Sequence, residues 1–395
     1  SAASTLTYKS GDHWGPITQH SIILMVGAVV VVFMHNIPYK WFQVFPVFLL
    51  PLSVVLLALV MMMERINGAA RWMTFMGVQF QPSEVAKMAV IIVTAFILSK
   101  GQDEDGASPK AFKRIMIITG VICLLIAPEN LSTAALLFGV VYLMMFIGRV
   151  AMKKLLILAG GLAGVAIIGV TFLVLTKNSD LPFLHRFDTW RARIEKFTND
   201  NEVPAAKFDI DKDAQIAHAR IAVATSHVVG KGPGNSVQRD FLSQAFSDFI
   251  FAIIIEELGL IGGAFVVFLY VCLLIRVGRI AKKCERTFPA FLIIGIALLL
   301  VSQAVFNMMV AVGLAPVTGQ PLPLISKGGT STLINCAYIG MILSVSRYTA
   351  RLEEQKEHDA LIPMQVEAPA EETNSDAQTA ADPTAKVLNS DAEFE

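Results

Sequence analysis

Three acids sit at the head of the apolar stretch Ser243–Gly263, "SQAFSDFIFAIIIEELGLIGG": Asp248 at its lip, Glu256 and Glu257 inside. A carboxylate in hydrocarbon costs about 2.5 to 3.5 kcal/mol or more, so it faces a bundle interior, a cavity or an ion partner. Where a substrate hydroxyl can reach it, a carboxylate serves as general base. Helix geometry separates the three. If the helix starts near Asp248, Glu256 lies about 12 Å deeper and about 80° around the axis, and Glu257 about 180° around. Asp248, at the rim, is the catalytic candidate, with helix capping as its alternative. Glu256 and Glu257 fit structural pairing with Arg, Lys or backbone donors.

Three further stretches carry chemistry. In "FQPSEVAK" (Phe80–Lys87), Pro82 suits a first helical turn, and Glu84 and Lys87 share one face at i,i+3. They read as a charged cavity, as a self-neutralising ion pair, or as a lysine reaching for the interface. In "GKGPGNSVQ" (Gly230–Gln238), a constrained Gly/Pro turn could turn its amides to a phosphate, with Gln238 as a polar contact. It lacks the strand–turn–helix context of a phosphate-binding loop, so an ordinary surface turn competes. "HRFDTWRARIEKF" (His185–Phe197) reads as a basic amphipathic helix, with Arg191 and Arg193, suited to lipid headgroups or to plain solvent. His218 and His227 have no ligand spacing, and the four cysteines have neither paired nor zinc-type spacing, so no metal site is expected.

The elements that must position these groups are membrane helices. The chain is 54% hydrophobic and 16% charged, with net charge zero and mean hydropathy +0.60. That composition describes an all-α polytopic membrane protein, and the neutral balance points to no nucleic-acid partner. Apolar segments fall at about His20–Asn36, Phe42–Met62, Pro82–Leu98, Ile115–Ala127, Thr133–Ile147, Leu155–Thr176, Phe249–Ile275, Phe288–Val312 and Thr332–Ser346. The fourth and fifth share the break "APENLST" and are read as two spans with a tight turn. Basic residues crowd one side: Lys100, Lys110, Lys113 and Arg114; Arg149, Lys153 and Lys154; Arg276, Arg279, Lys282, Lys283 and Arg286. The other side has few, among them Arg65, Arg71 and Lys327. The basic side is cytoplasmic by the positive-inside rule. Residues 177–247 then form a long external loop, about 70 residues against the usual few. The bundle is expected over residues 1–350, and the acidic, aromatic-poor stretch 351–395 is expected to be a disordered cytoplasmic tail.

"NGAARWMTFMGVQFQPSEVAK", "VVGKGPGNSVQ", "SDFIFAIIIEELGLIG" and "GLAPVTGQPLPLISKGGTS", in this order, resemble the SEDS family (shape, elongation, division and sporulation) across about Ser1–Arg347. The "GPGNS" form looks closer to the division-type branch than to the elongation-type one. The resemblance implies a ten-helix bundle that polymerises lipid II into glycan strands at the outer face of the bacterial cytoplasmic membrane. "SAASTL" resembles the end of the family's first helix, so most of one span would be missing. The family's essential acid falls on Asp248, its cavity pair on Glu84 and Lys87, and its arginine on Arg71. "PENLST" departs from the family's "PDxGT" at Asn130, "SKGGTS" departs from "SYGGSS" at Lys327, and "LSQ" replaces "LPE" before the acid. Ser326 of the "SKGGTS" stretch is a further binding candidate.

The implied chemistry transfers a growing chain's anomeric carbon to a sugar hydroxyl of lipid II. Positive groups (Lys87, Arg71, Arg191, Arg193) or a divalent cation, magnesium or manganese, would offset the leaving pyrophosphate; no cofactor is otherwise evident. Expected partners are lipid II, membrane lipids, a class B penicillin-binding transpeptidase and other divisome proteins. Two alternatives stand beside the enzyme: a lipid II flippase, for which buried charge would line a path, and a non-enzymatic scaffold for the transpeptidase.

Overall fold

The computed structural model describes residues 15–62, 73–75, 78–103, 106–175, 210–242, 247–327 and 329–366. Among these are ten α-helices: α1 (Gly15–Asn36), α2 (Phe45–Met62), α3 (Pro82–Lys100), α4 (Pro109–Ile126), α5 (Leu131–Ile147), α6 (Met152–Leu175), α7 (Ile210–Ala224), α8 (Ile250–Lys283), α9 (Thr287–Ala311) and α10 (Gly329–Val366). Continuous apolar sequence forms helices because hydrocarbon offers no partner to backbone N–H and C=O groups, and a helix satisfies them internally. Each of the nine apolar segments lies on its own helix. Six of these, α2, α3, α6, α8, α9 and α10, have both the length and the hydropathy to cross a bilayer; the apolar parts of α1 and α5 are shorter. α4 starts with Lys110, Lys113 and Arg114, which shortens its apolar part. The "APENLST" break is a tight turn. Asn130 ends it by accepting from Thr133 N at 3.2 Å, so α4 and α5 are separate helices.

α3 is the central helix. It is buried along nearly its whole length and packs on α2, α4, α5 and α9. A short antiparallel hairpin, β1 (Met73–Phe75) with β2 (Val78–Phe80), leads into it. β3 (Gln102–Asp103) and β4 (Gly106–Ala107) pair at its other end. α1 and α10 approach closely, for a Cβ on Gly27 would sit 2.8 Å from Cys336 Sγ and one on Gly340 2.5 Å from Met34 Cβ. At that end of the bundle Arg347 donates to Asn36 and Tyr39 packs on Tyr348. Burial pushes the nearby Cys284 thiol up to about 11. Far below that value it stays protonated, so a maleimide is expected to leave Cys284 unlabelled in the folded protein at pH 7, as mass spectrometry would show.

Apolar packing divides into two cores. The larger joins α1 to α5 with the first part of α9, the end of α8 and α10. The second joins α7, α8 from its start to Tyr270, the last turns of α9 and Leu322. α8 contributes to both, and it kinks at Gly259, whose φ of 72° is left-handed. Beyond the kink, Leu260–Lys283 measures about 36 Å, enough for a bilayer core of about 30 Å. The turns before it, Ile250–Leu258, pack inside the second core.

The chain divides into two units, Ser1–Ala350 and Arg351–Glu395. Residues 351–359 of the second are mostly exposed, polar helix within α10. The acidic segment after residue 366 and the basic amphipathic stretch His185–Phe197 lie outside the described residues.

Candidate functional site

α3 opens at Pro82, and Glu84 and Lys87 follow on one face of its first two turns. Lys87 Nζ donates to Glu84 Oε1 at 2.8 Å, and the two side chains are 0% and 3% exposed. A charge this deep must be paired, so the buried ion pair is the arrangement found. Lys87 does not reach for the interface. Ser83 and Gln81, beside the pair, line a cavity of about 20 Å³ with Leu57, Val60, Glu129 and Asn130. Ser83 Oγ and Asn130 Nδ2 are buried there without a hydrogen-bond partner among the described residues. The space fits one water.

Asp248 lies just before α8. The residue that caps α8 is Phe249, so capping is not the place of Asp248. Its side chain is half-buried and accepts from Ser247 Oγ at 2.9 Å. The backbone around it is gripped from two sides. Asn307 Nδ2, near the end of α9, donates to Asp248 O at 2.9 Å and to Gln320 O at 2.8 Å. Ser326 Oγ donates to Ser247 O at 2.7 Å and accepts from Leu322 N at 2.7 Å. The Gln320 side chain donates to Thr133 Oγ1 on α5 and accepts from Gln303 Nε2 at 3.3 Å. These bonds run from Asp248 to Asn130 and the cavity beside Glu84. The starts of α3, α5 and α8 thus share one end of the bundle with the end of α9.

Glu256 and Glu257 have a different task. Glu256 is fully buried. It accepts from Lys231 Nζ at 2.7 Å, Ser236 Oγ at 2.5 Å, Val237 N at 3.2 Å and Gln238 N at 3.3 Å. The backbone carbonyls of Glu256 and Glu257 accept from Lys231 N and Gly232 N at 3.0 and 2.8 Å. Arg239 lies 3.8 Å from Glu257. The "GKGPGNSVQ" turn therefore gives its amides to a glutamate of its own chain. It fits because Gly230 faces Gly259: a Cβ on Gly230 would stand 2.3 Å from Gly259 N and 2.5 Å from Glu257 O. Gly230 also has a φ of 78°. Gly230→Ala is expected to destabilise the fold by about 2 kcal/mol or more, through strain at a positive φ and the steric overlap. A thermal melt of the purified variant checks it.

Of the other binding candidates, Ser326 has its proton committed to Ser247, and Gln238 pairs its Oε1 with His218 Nδ1 at 2.6 Å. His218 in turn stacks on Phe241. Arg71, Arg191 and Arg193 lie outside the described residues. Among the described residues no group of three His, Cys, Asp or Glu is placed to hold a metal ion. Sequence reasoning missed Asn307, Gln320 and Thr133 as the residues that fix Asp248. Asn307 is marked only by polarity inside an apolar run, whereas Thr133 and Gln320 fall within the stretches "PENLST" and "GLAPVTGQPLPLISKGGTS" without a role assigned to them.

The model of the family described as cell cycle proteins, that of FtsW, RodA and SpoVE, matches residues 1–351. The chain belongs to that family. It is the SEDS family of the motif comparison. The chain is 32% identical to the probable peptidoglycan glycosyltransferase FtsW of Halomonas elongata, over 88% of this chain and 86% of that one. It is 32% identical to the protein of the same name from Geobacter metallireducens, over 88% and 89%. Among solved structures it is similar to a chain of a peptidoglycan synthase complex described as coordinating polymerization and crosslinking, with a TM-score of 0.67 at 24% identity over 88% and 94%. It is also similar to the rod shape determining protein RodA of Thermus thermophilus, with a TM-score of 0.58 at 23% identity over 83% and 86%. Both likenesses concern the fold. Together with its apolar helices, membership makes the SEDS-fold chain an integral, multi-pass membrane protein.

Proposed function

We propose that this SEDS protein is a peptidoglycan glycosyltransferase that polymerises lipid II at the outer face of the cytoplasmic membrane during septal wall synthesis. The names of its relatives support the activity. The observation that carries the site is Asp248: of the three acids opening α8 it alone is half-exposed, with its own backbone carbonyl held by Asn307 and that of Ser247 by Ser326. Glu256 and Glu257 are sealed under the Lys231–Arg239 turn.

In the proposed step, a sugar hydroxyl oxygen of lipid II attacks the anomeric carbon of the growing chain. The hydroxyl proton passes to the Asp248 carboxylate. The bond from that carbon to the pyrophosphate oxygen breaks, and the lipid-linked pyrophosphate leaves with the electron pair. Holding the hydroxyl beside a fixed carboxylate supplies both base and orientation. Lys87 is paired and buried, so its contribution runs through the first turns of α3. Arg71, Arg191, Arg193 or a divalent cation would meet the departing charge. Peptide crosslinking falls to a class B penicillin-binding transpeptidase, because the chain has no external Ser-x-x-Lys motif.

A flippase would present polar groups through the depth of the bundle. Here Thr133, Gln303, Asn307, Gln320 and Ser326 bond together around the backbone at Asp248, which favours a fixed site at that end. Reconstituting the full chain with lipid II and its transpeptidase in proteoliposomes tests the reading. Glycan polymer on a gel is the expected product. Lipid II translocation without polymer would replace the enzyme with the transporter.

A further inference from the structure

We infer that Asn307 and Gln320 are positioning residues for Asp248, an inference that rests on the general-base reading. Asn307 is 1% exposed, and its amide holds two backbone carbonyls at once, those of Asp248 and Gln320. No hydrophobic side chain of that shape can do this, because each carbonyl needs an N–H. Gln320 is 3% exposed and lies in the Pro/Gly-rich segment between α9 and α10. Its side chain is anchored on Thr133, at the first turn of α5. The backbone that carries this half-exposed carboxylate is thus tied to the end of α9 and the start of α5 by a relay of two amides.

The geometry has a definite consequence. Asn307, Gln320 and Thr133 are all buried, so the effect of removing one appears in the orientation of Asp248. Misplacing a catalytic group by about 1 Å costs about 100-fold in rate. Substrate binding on other parts of the chain is left in place. Loss of Asn307 should therefore lower kcat and leave KM nearly unchanged.

The test measures steady-state lipid II polymerisation by the full chain reconstituted with its transpeptidase, normalised to folded protein. Three variants report on the relay. Asn307→Asp keeps the shape and removes both N–H donors. Thr133→Val keeps the shape and removes the acceptor for Gln320, whereas Thr133→Ser restores it. The expected result is a fall in kcat of tenfold or more for Asn307→Asp with KM within twofold, and an altered pH dependence of kcat as the environment of the base changes. Thr133→Val is expected to fall severalfold in kcat and Thr133→Ser to recover it. Thr133→Val supplies the test if Asn307→Asp does not fold. A variant that loses folded yield but keeps kcat and pH profile would reduce the relay to scaffolding and overturn the inference. Asp248→Asn separates the two readings. If it is active, the general-base reading itself fails; if it is inactive while the Asn307 and Thr133 variants keep their kcat, only the positioning fails.

Discussion

Asp248→Asn is expected to lower lipid II polymerisation by about 100- to 10,000-fold, the usual contribution of a general base. The substitution is close to isosteric. Asn can still accept from Ser247 Oγ, and the carbonyl bonded by Asn307 belongs to the backbone and is untouched. The fold should therefore be intact, with a melting temperature near that of the wild-type protein. An amide cannot take the hydroxyl proton at neutral pH, so the loss should fall on kcat. Lipid II binding, measured separately, should change little. Gel-resolved glycan products from matched amounts of folded protein decide it. Polymerisation at near wild-type rate would remove Asp248 from the chemistry.

The contrast with its neighbours sharpens the test. Glu256→Gln removes a charge from the same helix, but that charge faces Lys231 and the turn amides. Its effect should appear as lost stability of the 231–239 turn. Two carboxylates close in sequence would then have separable phenotypes, one kinetic and one structural.

Much of this arrangement was legible in the sequence. Nine apolar segments gave nine helices because hydrocarbon leaves the backbone little choice. The 100° turn per residue separated Asp248 from Glu256 and Glu257 without coordinates. The identity of their partners was not legible. Glu256 meets Lys231 and Ser236 across 25 and 20 positions, and no periodicity marks such a pair. The kink at Gly259 was equally silent, because a glycine inside a membrane helix is ordinary; only Val228 and Gly230 lying against it give it meaning. Asn307 and Gln303 sit in a mostly apolar α9, where a polar residue announces that it has a partner and not which one.

Lys87→Met is expected to cost about 3 to 5 kcal/mol of stability, because it strands Glu84 as an unpaired buried charge. The two side chains are almost wholly inaccessible, so water cannot take over the lost partner. Glu84→Gln should also destabilise, by stranding Lys87. The double variant Glu84→Gln/Lys87→Met should recover most of the loss, since replacing both charges of a buried pair is often neutral. Thermal melts of the three purified proteins measure that coupling, and a double variant no more stable than the singles would exclude a self-contained pair. Activity then separates stability from function. Polymerisation that returns with stability would confine the pair to holding the start of α3. A stable but inactive double variant would show that the charges themselves serve the substrate. Ser83, inside the same turn, lines the cavity shared with Asn130, and Asn130 connects through Thr133 and Gln320 to the residues that hold Asp248. That connection gives the pair a physical route to the base, and it makes the double variant the sharper measurement of whether the route is used.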